Sequence, residues 1–428
     1  MWKKSKENLK VISVDNHGFL LLEIMFTFSI MTLFLISTLT LSRSMQILRE
    51  KAKIDLERMK NDIPNLENQY KFSEYDKEMG RNNCFDKIDY DISKFNIYNQ
   101  GIELGSSNIS TDIEVRNGFI YLTADSASAS LSDFFIIDFR ILDSPRIISS
   151  INTGPGISSL EIAGHYAYLA NLSTLSQLQI IDISNRNNPV LISSLKLPLP
   201  EASSTAPNAK SIFYYKNKIY LGTEKWEGNE FSIIDVSNPY FPVYIGGFET
   251  NTLINDIYIK NNTAYLATSD IKQMRILDIS DTDNIRELGS FSPSGSLVQE
   301  GKVLSFFENR YIDKDNNSKY TEFSLGRTVG GFNNISNHEI FLFPKERETI
   351  PINSKDIPGG VYGIVIRPPN IYISTKSPNK ELQIFDESLQ NKILDYPLGF
   401  LPNSFTCDRN VFYFSTANHR GIVIMKII

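Results

Sequence analysis

Five aspartates occupy matching positions of a repeated apolar segment, and their spacing makes them candidates for chemistry. They are Asp138, Asp182, Asp235, Asp278 and Asp386. Identical carboxylates around a channel could supply the acid and the base of a hydrolase. However, an Asp ahead of a turn rich in Ser, Asn and Pro usually accepts hydrogen bonds from the backbone amides of that turn. We therefore predict a structural role for these aspartates.

A second pattern of oxygen ligands lies in the segment DKDNNSKYTE. Its candidate ligands are Asp313, Asp315, Asn317 and Glu322, at positions that resemble the alternation of a calcium loop. The segment lacks the glycine and the final glutamate that such loops carry. A solvated polar loop is therefore favoured over a calcium site, and no other cofactor is predicted.

Signatures of common catalytic sites are missing from the sequence. There is no G-x-S-x-G, and His338 and Glu339 begin an H-E-x-x-H motif in which Leu342 replaces the second histidine. Two cysteines exclude a zinc site built from four thiolates. The net charge of -6 disfavours a nucleic-acid partner. We expect a non-enzyme and keep a hydrolase in the channel as an alternative.

An apolar run at residues 19–41 is long enough to cross a membrane as a helix, because about 20 residues span the hydrocarbon core. Four lysines precede the run, so positive-inside reasoning keeps residues 1–18 in the cytoplasm and places the rest outside. Glu23 lies within the run, and no basic residue follows it before Arg43. A carboxylate there needs a cationic partner, and we expect the α-ammonium of another subunit to provide it.

The sequence GFLLLE, from Gly18 to Glu23, resembles the processing site of type IV prepilins and pseudopilins. The resemblance implies that a prepilin peptidase cuts between Gly18 and Phe19, and that the new terminal Phe19 is methylated. It also implies that Glu23 pairs with the terminal amine of a neighbouring pilin. Other pilins and the pilus assembly platform are then further partners. We expect a leader at 1–18, a transmembrane and assembly helix at 19–62, and a connector at 63–94.

Residues 95–428 are repetitive. Segments such as GFIYLTA, HYAYLAN and NKIYLGT recur seven times, and each is followed by a segment such as LQIIDIS, a turn and a short apolar strand. The central residues of the first segment are Tyr121, Tyr168, Tyr220, Tyr265, Leu304, Tyr372 and Tyr413. The spacing is typical of propeller blades, and the copies resemble LVIVD repeats, which form β-propellers. The predicted fold is mainly β: a seven-bladed β-propeller preceded by one long N-terminal transmembrane α-helix.

The last repeat lacks an outermost strand, and the segment FNIYNQGIELG at 95–105 has the pattern of one. We expect it to complete blade seven, because an open ring would leave unpaired strand edges. Cys84 would then approach Cys407, with both outside the membrane, and a disulfide between them is expected. Two separate buried cysteines are the alternative.

These features predict a minor type IV pilin-like subunit that displays an extracytoplasmic propeller for adhesion, or for protein or glycan binding, at a pilus tip. It would be a single-pass membrane protein with a cytoplasmic leader, exposed at the cell surface after assembly. A head of this size is too bulky to pack repeatedly in a thin filament, which favours the tip. A pseudopilin of a type II secretion or DNA-uptake machine would share the N-terminus, and a membrane-anchored hydrolase is the second alternative.

Overall fold

A computed structural model of the protein describes most of the region after residue 94. The described residues are 95–99, 102, 104, 108–126, 130–141, 144–201, 205–293, 300–307, 311–312, 318–319, 322–328, 338–343, 349–367, 370–408, 411–417 and 421–427. All of them belong to one compact unit, Tyr75–Ile428. They form seven four-stranded antiparallel sheets, which confirms the predicted seven-bladed propeller.

The first strand of the chain, β1 (Phe95–Asn99), belongs to the last blade, and the next sixteen strands build blades one to four in chain order. These are β2 (Asn108–Arg116), β3 (Phe119–Ser126), β4 (Phe134–Asp138) and β5 (Arg146–Ile151); β6 (Ile157–Ala163), β7 (Tyr166–Asn171), β8 (Leu178–Asp182) and β9 (Val190–Leu195); β10 (Ala209–Tyr215), β11 (Lys218–Thr223), β12 (Phe231–Asp235) and β13 (Val243–Phe248); and β14 (Ile254–Lys260), β15 (Thr263–Thr268), β16 (Met274–Asp278) and β17 (Arg286–Phe291).

Blade six keeps this simple order, whereas blades five and seven depart from it. The strands of these three blades are β18 (Gly301–Phe307), β21 (Glu322–Arg327), β22 (Ile340–Phe343) and β23 (Asn353–Lys355); β24 (Val361–Arg367), β25 (Asn370–Thr375), β26 (Leu382–Asp386) and β27 (Lys392–Tyr396); and β28 (Pro402–Asp408), β29 (Val411–Thr416), β30 (Ile422–Ile427) and β1. A small hairpin of β19 (Tyr311–Ile312) and β20 (Ser318–Lys319) interrupts blade five between its first two strands.

Burial explains why the repeat is visible in the sequence. The second and third strands of a blade are covered on both faces: every residue of β15 and of β4 is buried. Such strands read as continuous apolar runs. The outermost strands β5 and β9 are exposed at half of their positions and have no buried residue. The hydrophobic cores lie between blades, because each cluster of buried side chains contains residues from neighbouring sheets.

Tight turns join the first two strands of several blades. Asn117 and Gly118 connect β2 to β3 with φ values of 50° and 79°, and Lys216 and Asn217 connect β10 to β11 with φ values of 48° and 58°. Two consecutive residues in the left-handed region match the right-handed twist of a two-residue hairpin. These turns fix the register of the strands that border the channel.

The first strands of consecutive blades contact one another around a complete ring, from β2 through β6, β10, β14, β18, β24 and β28 and back to β2. They are therefore the innermost strands and surround the central channel. The ring is closed as predicted: β1 pairs antiparallel with β30, with Phe95 opposite Ile427 and Ile97 opposite Met425. Blade seven thus takes three strands from the end of the chain and one from before blade one.

One expectation about an individual segment was wrong. Leu304 was aligned with the tyrosines of the second strands, but it lies in β18, the first strand of blade five. The equivalent of Tyr265 is Ser324 in β21, which lies between Ser305 and Leu342 in the sheet. Cys407 lies within the first strand of blade seven, β28.

No helix in the part of the chain that the structure describes is long and apolar enough to cross a membrane. The predicted helix at 19–62, the leader and the connector lie outside the described residues.

The pairing of β1 with β30 yields a stability prediction. Replacing the five residues of β1 with Gly-Ser-Gly-Ser-Gly keeps the chain length but removes the residues that favour a strand, so the outer edge of β30 loses its partner. We expect a lower urea midpoint and a broader, less cooperative transition, followed by circular dichroism. Replacing 201–205, in the loop between blades two and three, with the same sequence is the matched control. Identical transitions for the β1 variant and the native chain would contradict closure by β1.

Candidate functional site

The repeated aspartates end the third strands and hold the turns that follow, as predicted. The Oδ1 atoms of Asp182, Asp235 and Asp278 accept hydrogen bonds from the backbone amides of Ser184, Ser237 and Ser280 at 2.8, 2.8 and 3.0 Å. Because the third strand is two positions out from the channel, these carboxylates do not surround it. They are turn acceptors, and the ring of channel aspartates required by the hydrolase alternative is not formed.

Two of these aspartates also bind arginines. Arg140 donates to both carboxylate oxygens of Asp138 at 2.9 and 2.7 Å, and these bonds lower the pKa of that carboxyl to about 2. Bonds from Ser280, with a further contribution from Arg286, lower the pKa of Asp278 to about 2. A carboxyl that stays ionised at neutral pH cannot act as a general acid.

A second repeated set, which sequence reasoning missed, precedes the third strand of six blades. Its members are Asp133, Gln177, Glu230, Gln273, Glu339 and Glu381, and all are buried. In five of them a side-chain oxygen accepts a backbone amide of the loop that leads to the next blade, from Thr153, Leu197, Thr250, Ile357 and Leu398 at 2.6 to 3.1 Å. These acceptors fasten the inter-blade loops on one face of the propeller.

Burial has a clear electrostatic effect on two of these acids. Desolvation raises the pKa of Asp133 to about 6, although hydrogen bonds from Thr153 partly oppose it. Desolvation likewise raises the pKa of Glu339 to about 7. Arg327 is fully buried beside Glu339, and burial lowers the pKa of its guanidinium. Asp133 and Glu339 hold the loops that lead to the next blade through the hydrogen bonds given above.

The channel itself has a rim that each blade builds in the same way. All seven first strands carry an irregularity of register near their start, where one residue bulges out of the ladder. Bulges re-aim side chains and often lie at the rims of barrels and near functional sites. We call the bulged residues the channel rim; they are Thr111, Ser158, Lys210, Asn255, Lys302, Tyr362 and Asn403.

Four rim side chains bind the backbone of the next blade. Thr111, Ser158, Asn255 and Asn403 donate to the carbonyl oxygens of Ile157, Ala209, Gly301 and Ser110 at 2.6 to 2.9 Å. These bonds tie neighbouring first strands together, and the last of them joins blade seven to blade one. At four of seven positions the rim is therefore part of the fold.

The other three rim residues break the repeat. Lys210 forms an ion pair of 2.9 Å with Glu224. The ring of Tyr362 lies beneath Lys376, whose Nζ is 3.8 Å from the ring centroid. Lys302 shares blade five with Glu300, which accepts a hydrogen bond from the hydroxyl of Thr328.

Blades five and six thus present a partly buried cationic segment of the rim. Burial lowers the pKa of Lys376, with a further contribution from the charge of Lys302, while Glu300 opposes the shift. Among the described residues, neither lysine has a carboxylate within ion-pair distance. Two half-buried ammonium groups beside one carboxylate attract an anionic group, and Tyr362 adds a hydroxyl.

A pair of glycines shapes the loop beside this cationic segment. Gly360 has a φ of +74°, and a Cβ there would lie 1.7 Å from the carbonyl oxygen of Thr328. Gly359 has a φ of +87° and would clash with the backbone amide of Ser377. The loop approaches both backbones so closely that only glycine fits, and this contact positions Lys376.

The sequence-predicted site residues are placed as follows. Gly18, Phe19, Glu23, Cys84, Asp313, Asp315 and Asn317 lie outside the described residues, and Glu322 begins β21. Cys407 is fully buried and disulfide-bonded, and Cys84 is the only other cysteine of the sequence. Within the described part of the chain, no group of three His, Cys, Asp or Glu side chains could hold a metal ion. The calcium loop therefore stays a prediction.

Comparison with known proteins agrees with this fold. The LVIVD repeat family matches residues 157–196 and 224–250, which cover blade two and the last two strands of blade three. This confirms the repeat resemblance for those residues. No curated protein matches the sequence.

Several solved structures share the propeller. Raptor from Chaetomium thermophilum is 10% identical, with a TM-score of 0.53 over 78% of this chain and 29% of that one. A catalytically inactive virginiamycin B lyase from Staphylococcus aureus with quinupristin is 15% identical, with a TM-score of 0.52 over 78% of this chain and 100% of that one. The WD40 β-propeller domain of Doa1 is 10% identical, with a TM-score of 0.51 over 78% of this chain and 96% of that one. At such identities the similarity shows the fold alone.

The raised pKa of Asp133 predicts a pH dependence of stability. The unfolded carboxyl ionises above about pH 4, whereas the folded one keeps its proton up to about pH 6. Its contribution is therefore fully present below pH 4 and is lost as the pH rises through 6. Asp133→Asn should reduce the fall in unfolding free energy between pH 4 and 7 by roughly 2 to 3 kcal/mol, measured by urea titration. Asp283→Asn, on an exposed turn, is the control, and equal pH dependence in the Asp133 variant and the native chain would contradict the assignment.

The disulfide of Cys407 yields a second prediction. If its partner is Cys84, the bridge closes a loop of several hundred residues, and its loss should lower the unfolding free energy by about 3 to 5 kcal/mol in the chain-entropy model. We expect Cys84→Ser and Cys407→Ser to lower the urea midpoint equally, and a reductant to lower that of the native chain only. Peptide mapping without reductant should recover the two cysteines in one linked peptide. Free thiols at both positions would contradict a disulfide between Cys84 and Cys407.

Proposed function

We propose that this chain is a minor type IV pilin-like subunit whose extracytoplasmic propeller binds a surface protein or a glycan at a pilus tip. The observation that carries the proposal is the sequence GFLLLE from Gly18 to Glu23, which opens an apolar run of membrane-spanning length ahead of a folded propeller. A cleavable assembly helix followed by a large head is an arrangement suited to display.

Two features of the propeller support a binding role. The aspartates that recur at matching positions accept hydrogen bonds from turn amides, so their role is structural. By contrast, the residues that break the repeat, such as Lys302, Tyr362 and Lys376, lie together on one mouth of the channel. Loops and rims on a rigid scaffold are where binding residues usually reside.

The proposal defines its partners. A prepilin peptidase would remove residues 1–18, and Glu23 would pair with the terminal amine of a neighbouring pilin during assembly on the platform. Residues 19–41 would hold the subunit in the membrane before assembly. A pseudopilin of a secretion or DNA-uptake machine would share all these steps, and capture of its assembly ATPase and platform proteins would separate the two roles. An anchored hydrolase would instead show turnover on glycan or phosphoester substrates.

The proposal predicts the N-terminus of the mature chain. In a host with an active prepilin peptidase, the protein should start at Phe19 with one added methyl group, as read by mass spectrometry of its N-terminal peptide. Gly18→Leu should block cleavage because a bulky side chain occupies the scissile position, whereas Ser13→Leu, upstream in the leader, is the matched control. A native chain that still starts at Met1 in that host would overturn the pilin role.

A further inference from the structure

A cavity of about 360 Å³ opens on the face of the propeller that carries the rim, beside blade three and away from the channel. One wall comes from the loop between blades two and three at Leu197 to Pro200, and the other from Trp226 to Asn229, ahead of β12. Ser232 on β12, Tyr244 on β13 and Glu249 just after β13 complete the lining. The volume is at the low end of the roughly 300 to 1,000 Å³ typical of small-molecule sites.

The loop that forms the first wall departs from the repeat. The connection from blade two to blade three runs over residues 196–208, whereas the corresponding connection from blade three to blade four occupies only 249–253. The longer loop contains Pro198, Pro200 and Pro207, which restrict its backbone. An extended and stiffened loop at one of several equivalent positions is a local addition to the scaffold, and added loops are where binding sites usually form.

Two aromatic rings of the cavity pack closely against glycines, where a side chain would leave no room for the ring. A Cβ at Gly228 would lie 2.5 Å from Cζ2 of Trp226, and a Cβ at Gly247 would lie 2.6 Å from Oη of Tyr244. Both rings also pack against the buried cluster between blades two and three. Trp226 is the only tryptophan of the propeller, since the other one in the sequence is Trp2. The rings are therefore preorganised, and a ligand would meet them without a conformational cost.

The polar groups of the cavity include both donors and acceptors. Asn229 donates to Oη of Tyr244 at 3.0 Å, which leaves the Tyr244 hydroxyl proton available for a ligand. The Nε1 of Trp226 is buried, finds no acceptor among the described residues, and lies out of reach of a ligand in the cavity. Glu227 and Glu249 are exposed carboxylates and can only accept. No basic side chain lines the cavity.

We propose that this cavity binds a pyranose ring of a glycan. The proposal rests on the proposed binding function and specifies the class of ligand. The apolar face of a sugar ring stacks on an indole or a phenol, and its hydroxyls both donate and accept. Hydroxyls therefore satisfy the carboxylates of Glu227 and Glu249 together with the hydroxyl donor of Tyr244.

Other ligand classes fit these groups less well. An anion would be repelled by two carboxylates and would find no cation in the lining. An ammonium group could contact the aromatic faces and the carboxylates, but it carries donors only and leaves the hydroxyl proton of Tyr244 without an acceptor. The mixed donor and acceptor set therefore favours a hydroxylated ligand.

The test uses the full-length chain with Trp2→Phe, so that Trp226 is the sole tryptophan and its fluorescence reports on the cavity alone. The probes are the methyl pyranosides of glucose, galactose, mannose and N-acetylglucosamine, with choline chloride as the cationic probe. We expect a saturable change in emission with at least one pyranoside. Tyr244→Phe and Glu249→Gln should each weaken that binding about threefold to tenfold, because each removes one hydrogen-bonding group.

Tyr214→Phe is the matched control, because the Tyr214 hydroxyl bonds Asn217 in a turn of the same blade and does not line the cavity. It should leave binding unchanged, and equal urea midpoints will show that all variants fold. A response to choline with none to any pyranoside, or no response to any probe, would overturn the proposal. The readout does not depend on cleavage after Gly18, so a failure here and a failure of the pilin role are distinguishable.

Discussion

The propeller depends on one constraint: the sheets must close into a ring, and the ring closes through backbone hydrogen bonds between β1 and β30. Every other blade is a local meander whose four strands follow one another along the chain, with a hairpin inserted in blade five. Only blade seven joins residues that are more than three hundred positions apart. Ser110 and Asn403 reinforce that seam on the inner side, where the amide of Asn403 donates to the carbonyl of Ser110. The core between blades one and seven can form only once this long-range pairing has brought those two blades together.

Repetition separates structural from functional residues in this fold. A residue type that recurs at the same position in several blades is explained by a task that every blade shares, such as the turn bonds of Asp182 and the loop bond of Glu230. Departures from the repeat need another explanation, and they cluster on one face. Lys302 and Lys376 form a cationic segment of the rim, whereas Trp226 and Tyr244 line a cavity with acidic edges. The two regions have opposite electrostatic character, so they suit different chemical groups.

The strands that are buried on both faces could be predicted from the sequence, and the other strands were harder to predict. The second and third strands read as apolar runs because both faces meet neighbouring blades, which made the repeat and the role of Asp235 predictable. First strands were missed because the bulged rim residue, such as Asn255 or Lys210, interrupts the apolar pattern. Leu304 was misplaced because the inserted hairpin separates β18 from β21, and GKVLSFF resembles a second strand more than EFSLGR does. The buried acceptors could not be predicted because different residue types, such as Asp133 and Gln177, accept the same loop hydrogen bond. The cavity could not be predicted because its lining residues come from segments that are distant in sequence.

The closing strand and the disulfide together determine how the head responds to mechanical load. In a subunit tethered through its N-terminus and held by a ligand on the propeller, tension reaches Cys84 before Phe95, and a disulfide to Cys407 passes it covalently into β28. The hydrogen bonds between β1 and β30 are then shielded from the load, and they come under tension only when the disulfide is reduced. Removing β1 leaves blades one to six with all four of their own strands. In the reduced chain, tension would therefore open the ring between β1 and β30 and leave the strands of blade three paired.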